Sequence, residues 1–391
     1  MTTVAPEVHR RSELRDERAP TARPSASRPT AIHVGPSSQR QITGSLIFVV
    51  TSFLALAWVA AGQPGLPERF SNDHDTIAAT LRGTFTEADD SFVLIANIYR
   101  ALGLANSPAI AAVVGVVAYL VAFAFALPGR FTVAARWSDW GIIVSCIALA
   151  AIYHGAFTKD LITIGVIAVV LLCRSTGIVS ELLPLAAMLL YAEVFRSYWF
   201  LIAGVYLVLR VMLRLRRGWI STLIAILAIY GVLAVVFPLV VGVDLDHYRL
   251  LVNEFRSPES VNTIIERFVE GEGAHIGFAN SVLIFASFII PLPLVIKGGG
   301  LYLVVALLLV VVWTSLILAI RAARRRGPDG TWAFTPFQAR LLALLLAVLV
   351  VQSIFEPDYG SFLRHLTPVL MIAVALLLSL RHRVAEEPAA A

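Results

Sequence analysis

The chain has 391 residues, of which 58% are hydrophobic and only 15% charged, with a mean hydropathy of +0.80 and a formal net charge of +5. A soluble protein of this length needs a more charged surface, so these figures exclude an ordinary globular domain and predict a polytopic membrane protein. The positive balance is almost wholly arginine, Lys159 and Lys297 being the only lysines, and no nucleic-acid partner is expected.

Residues 1–41 are rich in Arg, Pro, Ser and Ala and carry no apolar period, which predicts a disordered cytoplasmic tail. It is not read as a signal peptide, because about forty polar residues precede the first apolar run. Apolar runs then follow at 43–62, 107–128, 139–157, 160–175, 178–194, 197–214, 219–242, 279–296, 300–320, 338–354 and 363–380. Most approach the roughly 20 residues needed to cross a bilayer as a helix. Cys146 and Cys173 fall inside such runs, far from any metal-ligand spacing, and read as small core residues. Gly298-Gly-Gly300 lacks the following Lys-Ser/Thr of a phosphate-binding loop, so ATP-driven transport by this chain has no motif to rest on.

Arginine and lysine flanking a span stay cytoplasmic, which sets the expected orientation. The arginines before residue 43, then Arg130 and Arg136 after two spans, then Arg214, Arg216 and Arg217 after six, all agree on a cytoplasmic N-terminus. Three further full spans would put the cluster of Arg321, Arg324, Arg325 and Arg326 outside, against the strongest inside signal in the chain. The run 279–296, broken by Pro291 and Pro293, is therefore expected to be re-entrant; an extra crossing within 244–278 is the alternative. The expected fold is all-α: a transmembrane helical bundle of about ten spans plus one re-entrant segment, occupying 42–383, with external loops 63–106 and 243–278 and cytoplasmic tails at 1–41 and 384–391.

On this topology the acids, histidines and aromatic-flanked arginines collect on the outer face. Asp73-His-Asp75 opens the first external loop and is followed by two helices of amphipathic spacing. Asp73 or Asp75 would serve as a general base or cation ligand, or simply cap the first helix; Asp89-Asp90-Ser91 reads as the cap of the second. His154, Lys159 and Asp160 surround a tight turn in which Thr158 or Asp160 suits a cap, while Lys159 suits a phosphate. Tyr191-Ala-Glu193-Val-Phe-Arg196-Ser-Tyr198-Trp199 joins an aromatic belt to an outer-leaflet arginine, with Glu193 a candidate ion-pair partner for Arg196. Asp244, Asp246, His247, Tyr248, Arg249, Arg256, Arg267 and His275 read mainly as a solvated helical surface. Finally Glu356-Pro-Asp358-Tyr359-Gly-Ser-Phe-Leu-Arg364-His365 crowds ionisable groups between two apolar runs. Arg364 suits bidentate phosphate binding and His365 proton transfer, unless Arg364 only pairs with Asp358 or Glu356 within the turn.

These residues resemble the EpsG/Wzy-like exopolysaccharide and O-antigen polymerases. The likeness rests on Asp73 with its amphipathic run to Tyr99-Arg100-Ala-Leu-Gly103, on Thr158-Lys159-Asp160-Leu161-Ile162, on Phe195-Arg196-Ser-Tyr198-Trp199, and on the 356–368 motif, together spanning most of 43–380. Thr158 stands where the family more typically has Ser, and Pro291 and Pro293 have no counterpart in it. The resemblance implies an enzyme of the bacterial cytoplasmic membrane that joins undecaprenyl-diphosphate-linked oligosaccharide repeat units at the outer face. His365, Asp73 and Asp75 would then be catalytic, and Arg364, Arg196, Lys159, His154 and Tyr198 would bind the diphosphate. Its partners would be the polyprenyl-linked glycan, the bilayer and chain-length or export proteins, with no cofactor or metal expected. Two alternatives stand beside it: a GT-C-type glycosyltransferase with a polyprenyl-phosphate sugar donor, using Asp73 or Asp75, and a lipid-linked oligosaccharide flippase or secondary transporter. The transporter would need ionisable groups at mid-membrane, where these runs are almost purely apolar.

Overall fold

The structure is a computed structural model describing residues 36–67, 70, 72–85, 89–127, 136–215, 219–254, 263–297, 299–325 and 334–386. Residues 1–35 of the N-terminal tail, Arg69, Arg130, Arg216, Arg217, Arg256, Arg326 and residues 387–391 lie outside the described residues.

Every apolar run becomes a helix, because a chain in lipid can satisfy its backbone locally only that way. The long elements are α1 (Pro36–Ala60), α4 (Pro108–Ala126), α5 (Trp137–His154), α6 (Asp160–Leu172), α7 (Ile178–Val194), α8 (Trp199–Arg214), α9 (Trp219–Val241), α11 (Ala274–Ile289), α13 (Gly300–Arg325), α14 (Pro336–Phe355) and α15 (Tyr359–Glu386). Shorter ones are α2 (Asn72–Arg82), α3 (Asp90–Ala101), α10 (His247–Glu254) and α12 (Leu292–Lys297). The helix α1 begins inside the segment expected to be a disordered tail. Among the described residues there is no strand, only one isolated bridge between Ile264 and Asp358.

Seven helices (α1, α4, α5, α9, α13, α14 and α15) are long and apolar enough to cross a membrane. This is fewer than the ten spans expected from the sequence. The difference lies in α6, α7 and α8, which have 13, 17 and 16 residues. Asp160 at the start of α6 pairs with Arg196, just after α7, while Arg340 contacts the Cys173 carbonyl that follows α6 and Arg210 of α8 grips Glu181 in the first turn of α7. The helix α11 behaves differently. Its start lies against Leu245, its last turns meet the start of α15 through the Phe288–Phe362 stack and the Tyr359 hydroxyl on Ser287, and Pro291 follows.

The centre of the bundle is the pair α14 and α15, whose apolar windows are 89% and 83% buried; α1 and α9, at 17% each, stand at the rim. The others pack around this pair: α8 and α11 on α14, and α4, α5, α6 and α13 on α15. Rim residues such as Phe53, Val232 and Leu239 are exposed, as a lipid-facing surface requires. The close approach of α4 to α5 needs Gly115, since a Cβ there would collide with the His154 carbonyl. In α15, Pro368 leaves the Arg364 carbonyl without its helical donor, while the Thr367 hydroxyl bonds back to Leu363 at 2.7 Å.

A second, smaller core sits at one end. The helices α2 and α3 turn their apolar faces toward each other, Ile77, Ile95 and Tyr99 burying with Phe157 of the α5–α6 turn. Arg100 ties the pair by donating to the Thr80 and Leu81 carbonyls. His74 stacks on Phe157 and accepts from its N–H at 3.2 Å, fixing α2 to that turn. Asp89 caps α3 as the sequence predicts, accepting from the Ser91 backbone.

Candidate active site at one end of the bundle

The end that carries α2, the α5–α6 turn, the α7–α8 corner and the α14–α15 connection gathers the charged side chains. Arg364, on the second turn of α15, forms an ion pair with Asp73 at 2.8 Å and stands 3.6 Å from Asp160. Arg196 pairs with Asp160 at 3.1 Å and donates to the Tyr198 hydroxyl at 2.9 Å. The imidazole of His365 lies between Arg364 (Nη2 to Nε2, 3.2 Å) and Glu356 (Oε1 to Nδ1, 2.5 Å).

Donor chemistry assigns the proton positions in this arrangement. A guanidinium only donates, so Nε2 of His365 must present a lone pair to Arg364. A neutral imidazole then carries its proton on Nδ1, which donates to Glu356. The result is a chain Arg364–His365–Glu356, a carboxyl-backed histidine whose free lone pair is held by an arginine. Burial pushes the Glu356 carboxyl up to about 8, against the opposing pull of Arg196 and Arg364. Burial alone would raise Asp73 as well, but Arg364, Lys159 and Arg196 together hold it below its ordinary value. Arg196, although buried, is held charged by Tyr198 and Asp160, its pKa raised well above the usual.

Between these groups is a small cavity lined by Asp160, Thr163, Arg196, Tyr198, Gln352 and His365. Around it the second oxygen of Asp73 and the Gln352 carbonyl oxygen are buried without a hydrogen-bond partner among the described residues, while Asp160 Oδ2 and Arg364 Nε face each other only at 3.6 Å. Such orphaned groups favour a polar occupant, because buried polar atoms left unpaired are costly.

Of the expected site residues, Asp73, Arg196, Tyr198, Arg364 and His365 come together here. Lys159 stands beside them rather than among them: its ammonium donates to Ser91 at 3.2 Å and sits 3.5 Å over the Phe92 ring. Burial and the nearby Arg196 lower its pKa to about 8, with Asp73 opposing. Asp75 is exposed on the outer side of the same helical turn. His154 is completely buried and stacks on Tyr119, its ring nitrogens unpartnered among the described residues.

Several sequence expectations change. The ion pairs of Arg364 among the described residues go to Asp73 and Asp160, from distant parts of the chain. Asp358 caps α15 by accepting from the Ser361 N–H and hydroxyl. Arg196 takes Asp160 rather than Glu193, which is exposed. Asp160 and Glu356, read from sequence as a cap and a turn residue, are the missed members of the site. The available signal for both was charge balance, since two arginines near the end of apolar helices need carboxylates.

The 243–278 loop is also more than a solvated surface. Asp246 and Arg249 are fully buried, 3.2 Å apart, and Arg267 adds a second contact to Asp246 at 2.9 Å. Arg249 donates to the Ser353 carbonyl and the Ile265 N–H to the Pro357 carbonyl. This ties the loop to the end of α14 and to the α14–α15 connection on either side of Glu356. Among the described residues there is no group of three metal-ligating side chains. In comparisons with known proteins, no family model, no curated protein and no solved structure matches the chain.

Proposed function

We propose that the chain is a membrane glycosyl-transferring enzyme that polymerises oligosaccharide repeat units carried on a polyprenyl diphosphate. The observation that carries this reading is the pairing of a base with an anion clamp. The lone pair of His365 Nε2 lies against Arg364, and His365 and Arg196 line the same cavity. When the donor's diphosphate takes the Arg364 and Arg196 guanidiniums, Nε2 is released to face the acceptor. His365 then accepts the proton of the acceptor sugar hydroxyl while that oxygen bonds to the donor's anomeric carbon. The bond from that carbon to the diphosphate oxygen breaks, and the leaving polyprenyl diphosphate keeps the electron pair under the two arginines. Glu356 stabilises the imidazolium through Nδ1–H.

The outer face of the bacterial cytoplasmic membrane is the proposed place of this reaction. Arg174, Arg210, Arg214, Arg340 and Arg381 gather at the opposite end, which the positive-inside preference assigns to the cytoplasm. Ten crossings, with α11 and α12 entering and returning, agree with the end-to-end course of α6, α7 and α8 and with the return of α11 to α15. Both termini are then cytoplasmic.

A second reading has one observation in its favour: Asp73, from the first external loop, reaches the site with one oxygen unpartnered. In a GT-C-type transferase using a polyprenyl-phosphate sugar, that carboxylate would be the base. Purified protein in liposomes, given a polyprenyl-diphosphate oligosaccharide or, separately, a polyprenyl-phosphate sugar with a glycan acceptor, tests both. The polymerase reading expects a ladder of products, retained at reduced yield in Asp73→Asn and lost in Arg196→Gln. A single sugar addition abolished by Asp73→Asn supports the transferase, and no glycan product with either donor class refutes the proposal.

A further inference from the structure

At the end of the bundle opposite the candidate site, three arginines converge on one carboxylate. Arg210 grips Glu181 with two bonds, at 2.6 and 3.2 Å, while Arg214 and Arg340 each approach its Oε1 at 3.2 Å. These residues lie about 20 Å from the first site, some 13 residues along α7 and α14 at 1.5 Å each.

The cluster carries two positive charges in excess. Arg210 already satisfies Glu181, so Arg214 and Arg340 are left with donors to spare. Arg340 is fully buried; Nη1 contacts the Cys173 carbonyl, Nη2 faces Glu181 at 3.2 Å, and Nε has no hydrogen-bond partner among the described residues. A buried guanidinium that must share its one carboxylate with two other arginines is a costly arrangement. Arg214, by contrast, is 61% exposed and opens the cluster to the surface. The first turn of α7 points into the same corner with no side-chain cap, which adds partial positive charge. Flanking it are exposed apolar residues, Ile178 and Val179 on α7, Val211 on α8 and Leu215 just after it. A guanidinium cluster at a membrane interface beside uncovered apolar helix surface is what a phosphate headgroup and its acyl chains require.

We infer that the α7–α8–α14 corner binds a phosphate group, supplied by an anionic membrane lipid whose acyl chains follow the exposed faces of α7 and α8, or by free phosphate. The phosphate oxygens accept from Arg214 and from the free Nε of Arg340, closing the charge excess that Glu181 alone leaves. The site is independent of the chemistry at the other end and does not touch its residues.

The test uses the full-length protein, purified in detergent and stripped of lipid. It is titrated with phosphatidylglycerol, with phosphatidylcholine of the same acyl chains, and with inorganic phosphate, while the unfolding temperature is followed. Phosphatidylglycerol should stabilise and phosphatidylcholine should not. Arg214→Gln, at a position 61% exposed, should need about tenfold more phosphatidylglycerol for the same shift. Arg321→Gln, an exposed arginine of α13 outside the cluster, should behave as the wild type. Stabilisation by inorganic phosphate that Arg214→Gln likewise weakens supports the same site with free phosphate as its occupant. Equal responses of wild type and Arg214→Gln to every additive, or equal stabilisation by the two lipids, overturn the proposal.

Discussion

Replacing Glu356 by Gln separates the charge behind His365 from the shape around it. Glutamine keeps the oxygen that accepts from Nδ1–H but does not ionise. In the wild type, burial lifts the carboxyl from 4.5 to about 8. The folded state therefore binds the proton more tightly than the unfolded chain. The stability this confers is fully present below pH 4.5, declines as pH rises, and is gone above about 8. A rise of 3.5 units corresponds to about 5 kcal/mol between the two limits, at 1.36 kcal/mol per unit. Thermal unfolding in detergent, measured for both proteins across this range, should show Glu356→Gln gaining on the wild type as pH climbs, with the gain levelling off above about 8. A difference that stays constant with pH refutes the buried, protonated carboxyl. Activity carries the complementary signature. The ionised fraction of Glu356 rises about tenfold from pH 7 to pH 9, so glycosyl transfer should rise with it in the wild type and lie flat in the variant.

Other perturbations follow from the same geometry. Arg364→Ala leaves Asp73 and Asp160 buried against each other and should destabilise the fold by about 3–5 kcal/mol, with Asp73→Asn added in the same chain restoring part of it; the double-variant cycle in chemical denaturation measures this. Lys159, lowered to about 8, should be half-reactive toward an amine acylating reagent near pH 8, two units or more below an ordinary lysine, as read by peptide mapping. Gly115→Leu should cost about 1–3 kcal/mol or more in unfolding measurements, because the side chain meets the His154 carbonyl.

How far the sequence reaches depends on the kind of interaction. Hydropathy located each helix from α4 to α9 and α13 to α15 within a few residues, since apolar length is written locally. The Asp89 cap and the Pro291 break were legible for the same reason. Arg364 and His365 stood out because a charged pair at the end of an apolar run has few innocent explanations. Their partners did not. Asp160 is 204 positions from Arg364 in the chain, and only the docking of α6 on α15 brings them together. Glu356 looked like a turn residue until the second turn of α15 put His365 over it. Asp246 and Arg249 looked solvated because an eight-residue helix of mean polar character gives no sign that a loop will fold down on it.

The central claim is that His365 passes a proton from an acceptor sugar hydroxyl while Arg364 and Arg196 hold the leaving diphosphate. The direct measurement is the product length distribution from proteoliposomes containing wild type or His365→Gln, with matched protein amounts and matched unfolding temperatures. The account predicts a polymer ladder from the wild type and a rate at least about a hundredfold lower from His365→Gln, with donor binding retained. An undiminished ladder from a folded His365→Gln would contradict it.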